Sequence, residues 1–301
     1  MNIKFMEKIA IIGCGTMGNG IAQVFATAGY SVNLIDISSK ALNQAELTIH
    51  KNLDRLILKG KISMEQKPDI IRNLHFSSDL ENGVKEVFLV VEAVSENMEL
   101  KEKVFKQLDI LTPSSAILAS NTSSISITSL GSYTKKPEKV IGMHFMNPVP
   151  VMPLVEIIPG LLTDIEITNK VISISESLDK TPLVVSDFPG FISNRILMPM
   201  INEAIIALQE NIAGVNEIDQ IMKLGMAHPM GPLQLADYIG LDVCLSILNV
   251  LKDGFGNPKY SPAILLVNMV NAGKLGVKSA EGFYQYDSSK KLLGVSKRFI
   301  N

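Results

Sequence analysis

A chain of 301 residues, 47% hydrophobic and 19% charged, can bury one large core or two moderate ones. Its formal net charge of −2 gives no global attraction to nucleic acid or to an anionic membrane surface. No apolar run reaches the ~18 residues of a membrane span, and Cys14 and Cys244 match no metal or disulfide spacing. A cytoplasmic protein that binds neither nucleic acid nor membrane is expected, with residues 1–6 too short for a signal peptide ahead of the first strand.

The first element is also the most informative. An apolar strand ending at Ile12 breaks into Gly13-Cys14-Gly15-Thr16-Met17-Gly18, and Met17, Ile21, Val24, Phe25 and Ala28 follow at helical spacing until Gly29. A second apolar run, Val32-Asn33-Leu34-Ile35, ends in Asp36. This strand–turn–helix–strand order is what a dinucleotide needs. Gly13 permits the tight turn, Gly15 lets backbone approach a pyrophosphate, and Gly18 lets helix and strand pack closely. The helix start at Thr16 and Met17 offers amide groups and partial positive charge to phosphates. A carboxylate at Asp36 suits ribose hydroxyls and repels a 2′-phosphate, which favours NAD over NADP, although the loop alone suits a nicotinamide or a flavin dinucleotide. Cys14, inside the loop, reads as a small filler or as a redox sensor.

A helical insert is expected near 40–75, and it contains His50 and His75. Within 50–73 six cations, Lys59 among them, face three carboxylates, either as a solvated helix face or as a site for a phosphate-bearing substrate. Strands are predicted at 87–91, 116–119, 140–145, 154–158 and 183–186, with a helix at 99–108. The fold class is α/β: a doubly wound Rossmann-like sheet domain over 1–187. Beyond Asp187-Phe188-Pro189-Gly190 helical periodicity takes over at 192–208, 215–224 and 233–251. An all-helical C-terminal domain over 188–301, serving substrate binding and dimerisation, is expected, with the polar tail 287–301 as an appendage.

Of four histidines, His144 stands at the end of a predicted strand, on the edge where open α/β sheets bind ligands. Glu156 lies twelve residues on, past a Pro-rich turn, so neighbouring strand ends can bring imidazole and carboxylate together. A strand histidine is otherwise a satisfied structural residue, and the company of Glu156 and Asn147 weighs against that. The run Ser120-Asn121-Thr122-Ser123-Ser124 either caps a helix near Ser126 or donates hydrogen bonds to a carbonyl or a nicotinamide. With no serine nucleophile elbow and no metal cluster, the economical chemistry is hydride transfer, with a histidine handling a hydroxyl proton.

From Lys8 to Tyr286 the chain resembles the L-3-hydroxyacyl-CoA dehydrogenase family, its bacterial short-chain members most of all. The motifs are the glycine loop with Gly20-Ile21-Ala22, Val91-Glu92-Ala93-Val94, Ser120 to Ser124, His144-Phe145-Met146-Asn147-Pro148-Val149-Pro150, Pro189-Gly190-Phe191 with Asn194-Arg195, Pro229-Met230-Gly231-Pro232 and Glu281-Gly282-Phe283-Tyr284. The resemblance implies an NAD-dependent enzyme interconverting (S)-3-hydroxyacyl-CoA and 3-ketoacyl-CoA, of the short-chain 3-hydroxybutyryl-CoA and acetoacetyl-CoA kind. It implies His144 as general acid/base with Glu156 as partner, and Ser123 and Asn194 on the substrate oxygens, the site being completed between the two domains. Glu96, Lys101, Asn147 and Lys278 become cofactor contacts, Lys59 meets the coenzyme A phosphates, and the enzyme is a homodimer. Rivals are a 3-hydroxyadipyl-CoA dehydrogenase, an enzyme of a free 3-hydroxy acid, a non-catalytic relative and a subunit of a fatty-acid oxidation complex. The family often has Phe where Met146 stands and Lys where Pro153 stands, for which altered packing rather than lost chemistry is expected.

Overall fold

The structure, a computed structural model, describes residues 7–300. The segment 1–6, read above as too short for a signal peptide, lies outside the described residues, as does Asn301. The described backbone divides into two units, which meet between Phe188 and Pro189 in the chain.

The first unit alternates strand and helix: β1 (Lys8–Ile12), α1 (Thr16–Thr27), β2 (Ser31–Ile35), α2 (Ser39–Leu58), α3 (Gln66–Arg72), β3 (Leu74–Ser77), α4 (Leu80–Val84), β4 (Leu89–Glu92), α5 (Met98–Leu111), β5 (Ile117–Ser120), α6 (Ile127–Gly131), β6 (Val140–Phe145), β7 (Leu154–Pro159), α7 (Ile165–Ser177) and β8 (Thr181–Val184). The strands form one sheet in the order β3-β2-β1-β4-β5-β6-β7-β8, parallel through β6, with β7 antiparallel to β6 and β8 parallel to β7. Side chains alternate across a strand. Ile9 and Ile11, Val32 and Leu34, Leu89 and Val91 accordingly join one core with α1, α2, α3 and α7, and the alternate residues Ala10, Ile12 and Val90 are buried outside it. The expected doubly wound sheet is what forms, and its strand order reverses between β1 and β4.

Three sequence expectations are corrected in this unit. His75 lies in the edge strand β3, opposite Asn33, rather than in a helix. The last strand begins at Thr181, two residues before the predicted 183–186, because Pro182 is tolerated on an edge strand whose outward positions donate nothing to the ladder. The hydroxyls of Ser120 to Ser124 do not cap α6. Ser126 accepts from Ser129 N–H, and Asp187 accepts from the N–H groups of Ile127 and Thr128.

The second unit packs α8 (Ser193–Gln209), α9 (Val215–Gly225), α10 (Pro232–Ile239), α11 (Leu241–Phe255) and α12 (Ile264–Asn271) around Ile201, Ile205, Leu233, Leu248 and Leu266. The helix read over 233–251 is two helices bent by 97°. Gly240, at φ +104°, closes α10 on the Ala236 carbonyl and opens α11. The unit is not wholly helical, since β9 (Tyr284–Tyr286) pairs antiparallel with β10 (Leu292–Val295). The tail is therefore no appendage: Phe299 lies 5.8 Å from the Phe283 ring and Ser296 Oγ donates to Glu281. Among the described residues no single helix is long and apolar enough to cross a membrane.

Candidate active site

The glycine loop leaves β1 at the carboxyl edge of the sheet. Gly13 has φ +95°, and a Cβ there would stand 2.7 Å from the Ala93 carbonyl oxygen. A Cβ on Gly18 would stand 1.8 Å from the Gly13 oxygen, so these two positions require glycine. Gly15 faces open space, and α1 begins behind it with no side-chain cap and no acidic residue in its first turn, where Thr16 and Met17 lie. An uncapped helix start facing a gap suits a pyrophosphate. Asp36 follows β2 and accepts from the N–H groups of Cys14 at 3.0 Å and Ser38 at 2.9 Å. Burial pushes the Asp36 carboxyl up, but those two amides and the Cys14 thiol outweigh it and hold the group below the ordinary value. It is a carboxylate at neutral pH, as a ribose partner must be. Burial and the Asp36 charge push the Cys14 thiol up to about 12, which favours the filler reading over the redox sensor. These residues fit a dinucleotide.

A hollow of about 370 Å³ opens beside the loop, between Thr16 and Asn19 on one side, Thr48 and Asn52 of α2 on another, and Asn147 with Pro148 on a third. The turn that carries Asn147 rests on α1 at Gly20, where a Cβ would stand 2.9 Å from Val149. Lys180 ties the turn down by donating to the carbonyls of Val149 and Met152, and the Pro153 carbonyl accepts from Thr181 N–H.

His144 and Glu156 sit directly opposite each other across β6 and β7, and both are buried. His144 Nδ1 lies 2.8 Å from Glu156 Oε2. The carboxylate accepts from Nδ1–H, so in the neutral ring Nε2 carries the lone pair. Because β1, β4, β5 and β6 are parallel, this pair shares its sheet edge with the glycine loop.

Ser123 and Glu96 also come together. Glu96 Oε1 accepts from Ser123 N–H at 2.9 Å, Ser123 Oγ at 3.2 Å, Thr122 Oγ1 at 2.7 Å and Ser124 Oγ at 2.9 Å. Burial pushes the Glu96 carboxyl up, and the Lys101 ammonium and these donors more than reverse that. Lys101 is 1% exposed, with its ammonium 2.7 Å from Glu92 Oε1 and 3.3 Å from Glu96 Oε2. Lys59 caps the end of α2 and is exposed, with no carboxylate within 4 Å among the described residues. In the second unit Asn194 lies buried in the first turn of α8, and Lys278 pairs with Asp242 beside Gly240.

The sequence reading passed over two residues. Asn121 Oδ1 accepts from Phe145 N–H, which ties the serine-rich loop to the strand end beside His144. Glu92 was quoted only as part of a motif, and it is fully buried under that loop. A charged residue closing an apolar strand was the available signal.

Fold and loop define a dinucleotide-binding oxidoreductase. Residues 8–188 match the model of the 3-hydroxyacyl-CoA dehydrogenase NAD binding domain, and 190–286 match that of the 3-hydroxyacyl-CoA dehydrogenase C-terminal domain. A probable 3-hydroxybutyryl-CoA dehydrogenase of Bacillus subtilis is 49% identical over 94% of this chain and 98% of its own length. The crystal structure of (S)-3-hydroxybutyryl-CoA dehydrogenase from Ralstonia eutropha, 47% identical, superposes with a TM-score of 0.90 over 94% of this chain and 100% of that one. A 3-hydroxyadipyl-CoA dehydrogenase of Escherichia coli is 38% identical over 95% of this chain and 60% of its own length. The chain belongs to the 3-hydroxyacyl-CoA dehydrogenase family and is an NAD-dependent enzyme.

Proposed function

We propose that the enzyme interconverts (S)-3-hydroxybutyryl-CoA and acetoacetyl-CoA, with His144 as general acid/base. The observation that carries this is the buried His144–Glu156 pair, 2.8 Å apart, at the sheet edge that also holds the glycine loop. Bound NAD supplies the hydride acceptor. Nε2 of His144 takes the proton of the 3-hydroxyl in oxidation, and the imidazolium returns it to the developing alkoxide in reduction. Glu156 fixes the tautomer and stabilises the imidazolium. Ser123 is assigned to the reacting oxygen, and Asn194 to the substrate oxygens on the family resemblance. Asn147 and Lys278 are assigned to NAD on the same ground. Lys59, with its exposed ammonium, is assigned to the coenzyme A phosphates. Exposed Ile221 and Leu224 on α9, with Met226 just past its end, support pairing of two copies.

The test is oxidation of NADH by acetoacetyl-CoA, run beside free acetoacetate, a long-chain 3-ketoacyl-CoA and 3-oxoadipyl-CoA. Fast turnover of acetoacetyl-CoA with slow turnover of the others is expected. Preferred turnover of the dicarboxylic thioester or of the free acid would move the substrate assignment there. Asp36 sets the nucleotide preference. Asp36→Asn should lower kcat/KM for NADH about tenfold and raise the NADPH-to-NADH ratio by a similar factor or more, since about 1.4 kcal/mol of charge interaction is a factor of ten. An unchanged ratio would remove Asp36 from nucleotide recognition.

A further inference from the structure

Glu92 ends β4 and Ser120 ends β5, and the parallel register sets the two side by side. The Glu92 carboxylate is completely buried and fully engaged. Oε1 accepts from Lys101 at 2.7 Å and from Val94 N–H at 2.7 Å, while Oε2 accepts from Lys101 at 2.9 Å and Ser120 Oγ at 2.6 Å. A buried ion pair is a poor device for stability alone, because desolvation consumes most of its attraction and a neutral pair of the same volume folds as well. What such a pair does well is fix positions.

The positions fixed here are those of the site. Beyond Glu92, the Lys101 ammonium reaches Glu96 on the loop that follows β4, and Glu96 gathers Thr122, Ser123 and Ser124. A second route runs through Ser120, whose Oγ accepts from Thr122 N–H at 3.2 Å. Both routes start at Glu92 and end on the loop that carries Ser123. A dinucleotide lies across the point where strand order reverses. Asp36 at the end of β2 marks the adenosine side, which leaves the ends of β4 and β5 for the nicotinamide half.

We propose that Glu92 is a positioning residue for the nicotinamide half and the reacting oxygen, acting through Lys101 and Ser120 on Glu96 and the Ser120–Ser124 loop. Lys101, held between two carboxylates, links Glu92 to Glu96. The part concerning the reacting oxygen rests on the proposed role of Ser123.

Two variants separate positioning from folding. Glu92→Gln strands the buried ammonium with Glu96 and should lower both melting temperature and turnover. The double variant Glu92→Gln/Lys101→Met replaces the ion pair by a neutral pair of like size. Its melting temperature should return to near that of the parent, while kcat with acetoacetyl-CoA stays about 10- to 100-fold down, as misplacement of about an ångström costs. Affinity is read without substrate as well: NADH should bind about tenfold more weakly to the double variant, and ADP-ribose within about twofold of the parent. Recovery of melting temperature, kcat and NADH affinity together would make the pair purely structural and overturn the inference. Failure of the parent enzyme on acetoacetyl-CoA would sink the proposed reaction, while the NADH-to-ADP-ribose ratio would still decide the positioning. Should the double variant not accumulate folded, Ser120→Ala removes one hydroxyl only. A several-fold fall in kcat and in NADH affinity supports the proposal, and no change in either overturns it.

Discussion

His144→Ala should lower kcat for acetoacetyl-CoA reduction by about 10²- to 10⁴-fold, the range a positioned general acid supplies, and leave the NADH dissociation constant within about twofold. The separation of effects follows from placement. His144 lies on β6, whereas the cofactor loop lies on β1 with β4 and β5 between them. Alanine removes the proposed proton carrier without touching Gly13, Gly15, Gly18 or Asp36. Glu156→Gln should cost less, about 10- to 100-fold. The amide keeps an oxygen that accepts from Nδ1–H, but it lacks the charge that stabilises the imidazolium, so the loss belongs to kcat. Fluorescence titration of NADH and single-turnover absorbance at its nicotinamide band read the two quantities separately. An alanine variant with parental kcat would remove His144 from the chemistry, and a glutamine variant slower than the alanine variant would make Glu156 more than an orienting partner.

Much of this was legible in the chain because the relevant signals are local. The glycine loop, the carboxylate at the end of β2 and the strand bearing His144 each occupy a few consecutive residues with one dominant backbone demand. Pairing of His144 with Glu156 was legible too, since a twelve-residue separation across a Pro-rich turn leaves the chain little choice but a hairpin. What escaped depends on contacts far apart in sequence. Glu92 meets Ser120 across 28 residues, and nothing in either neighbourhood announces the other. Lys101 stood as a cofactor contact by resemblance alone, and nothing in its helix announced that its ammonium pairs with the buried Glu92 carboxylate. Gly240 escaped because α10 and α11 are both apolar on their buried sides, so periodicity runs across the break. The tail misled by composition: its polar residues hide a strand and Phe299, whose partners are β9 and Phe283.

The largest stability effect is expected in the second unit, at a carboxylate the chemistry does not use. Asp237 is buried in α10 and accepts from Phe283 N–H at 3.0 Å, Tyr284 N–H at 2.9 Å and Tyr286 Oη at 3.0 Å. A Cβ on Gly282 would stand 1.9 Å from its Oδ1, so the Glu281-Gly282-Phe283-Tyr284 motif is the backbone's means of approaching this one side chain. Asp219 does the same for the Pro229-Met230-Gly231-Pro232 turn. It accepts from the amides of Leu233 and Gln234 and from Tyr284 Oη, and a Cβ on Gly231 would collide with it. Asp237→Ala leaves three buried donors without their acceptor and should destabilise the unit by about 3–5 kcal/mol, or roughly 10 °C or more in melting temperature for a unit of this size. Burial pushes the Asp237 carboxyl up from 3.8 to about 6, against the pull of its three donors and with the help of the Asp219 charge. The folded unit therefore holds a proton that the unfolded chain releases above about pH 4. The stabilisation is complete below that and is lost as pH rises through about 6, in all about 3 kcal/mol at about 1.4 kcal/mol per pKa unit. Asp237→Asn cannot titrate, so the stability of the parent minus that of this variant should fall steadily from pH 4 to pH 7. Calorimetry on both proteins across that range checks it, and a difference that stays flat or rises would show that Asp237 keeps its charge in the fold.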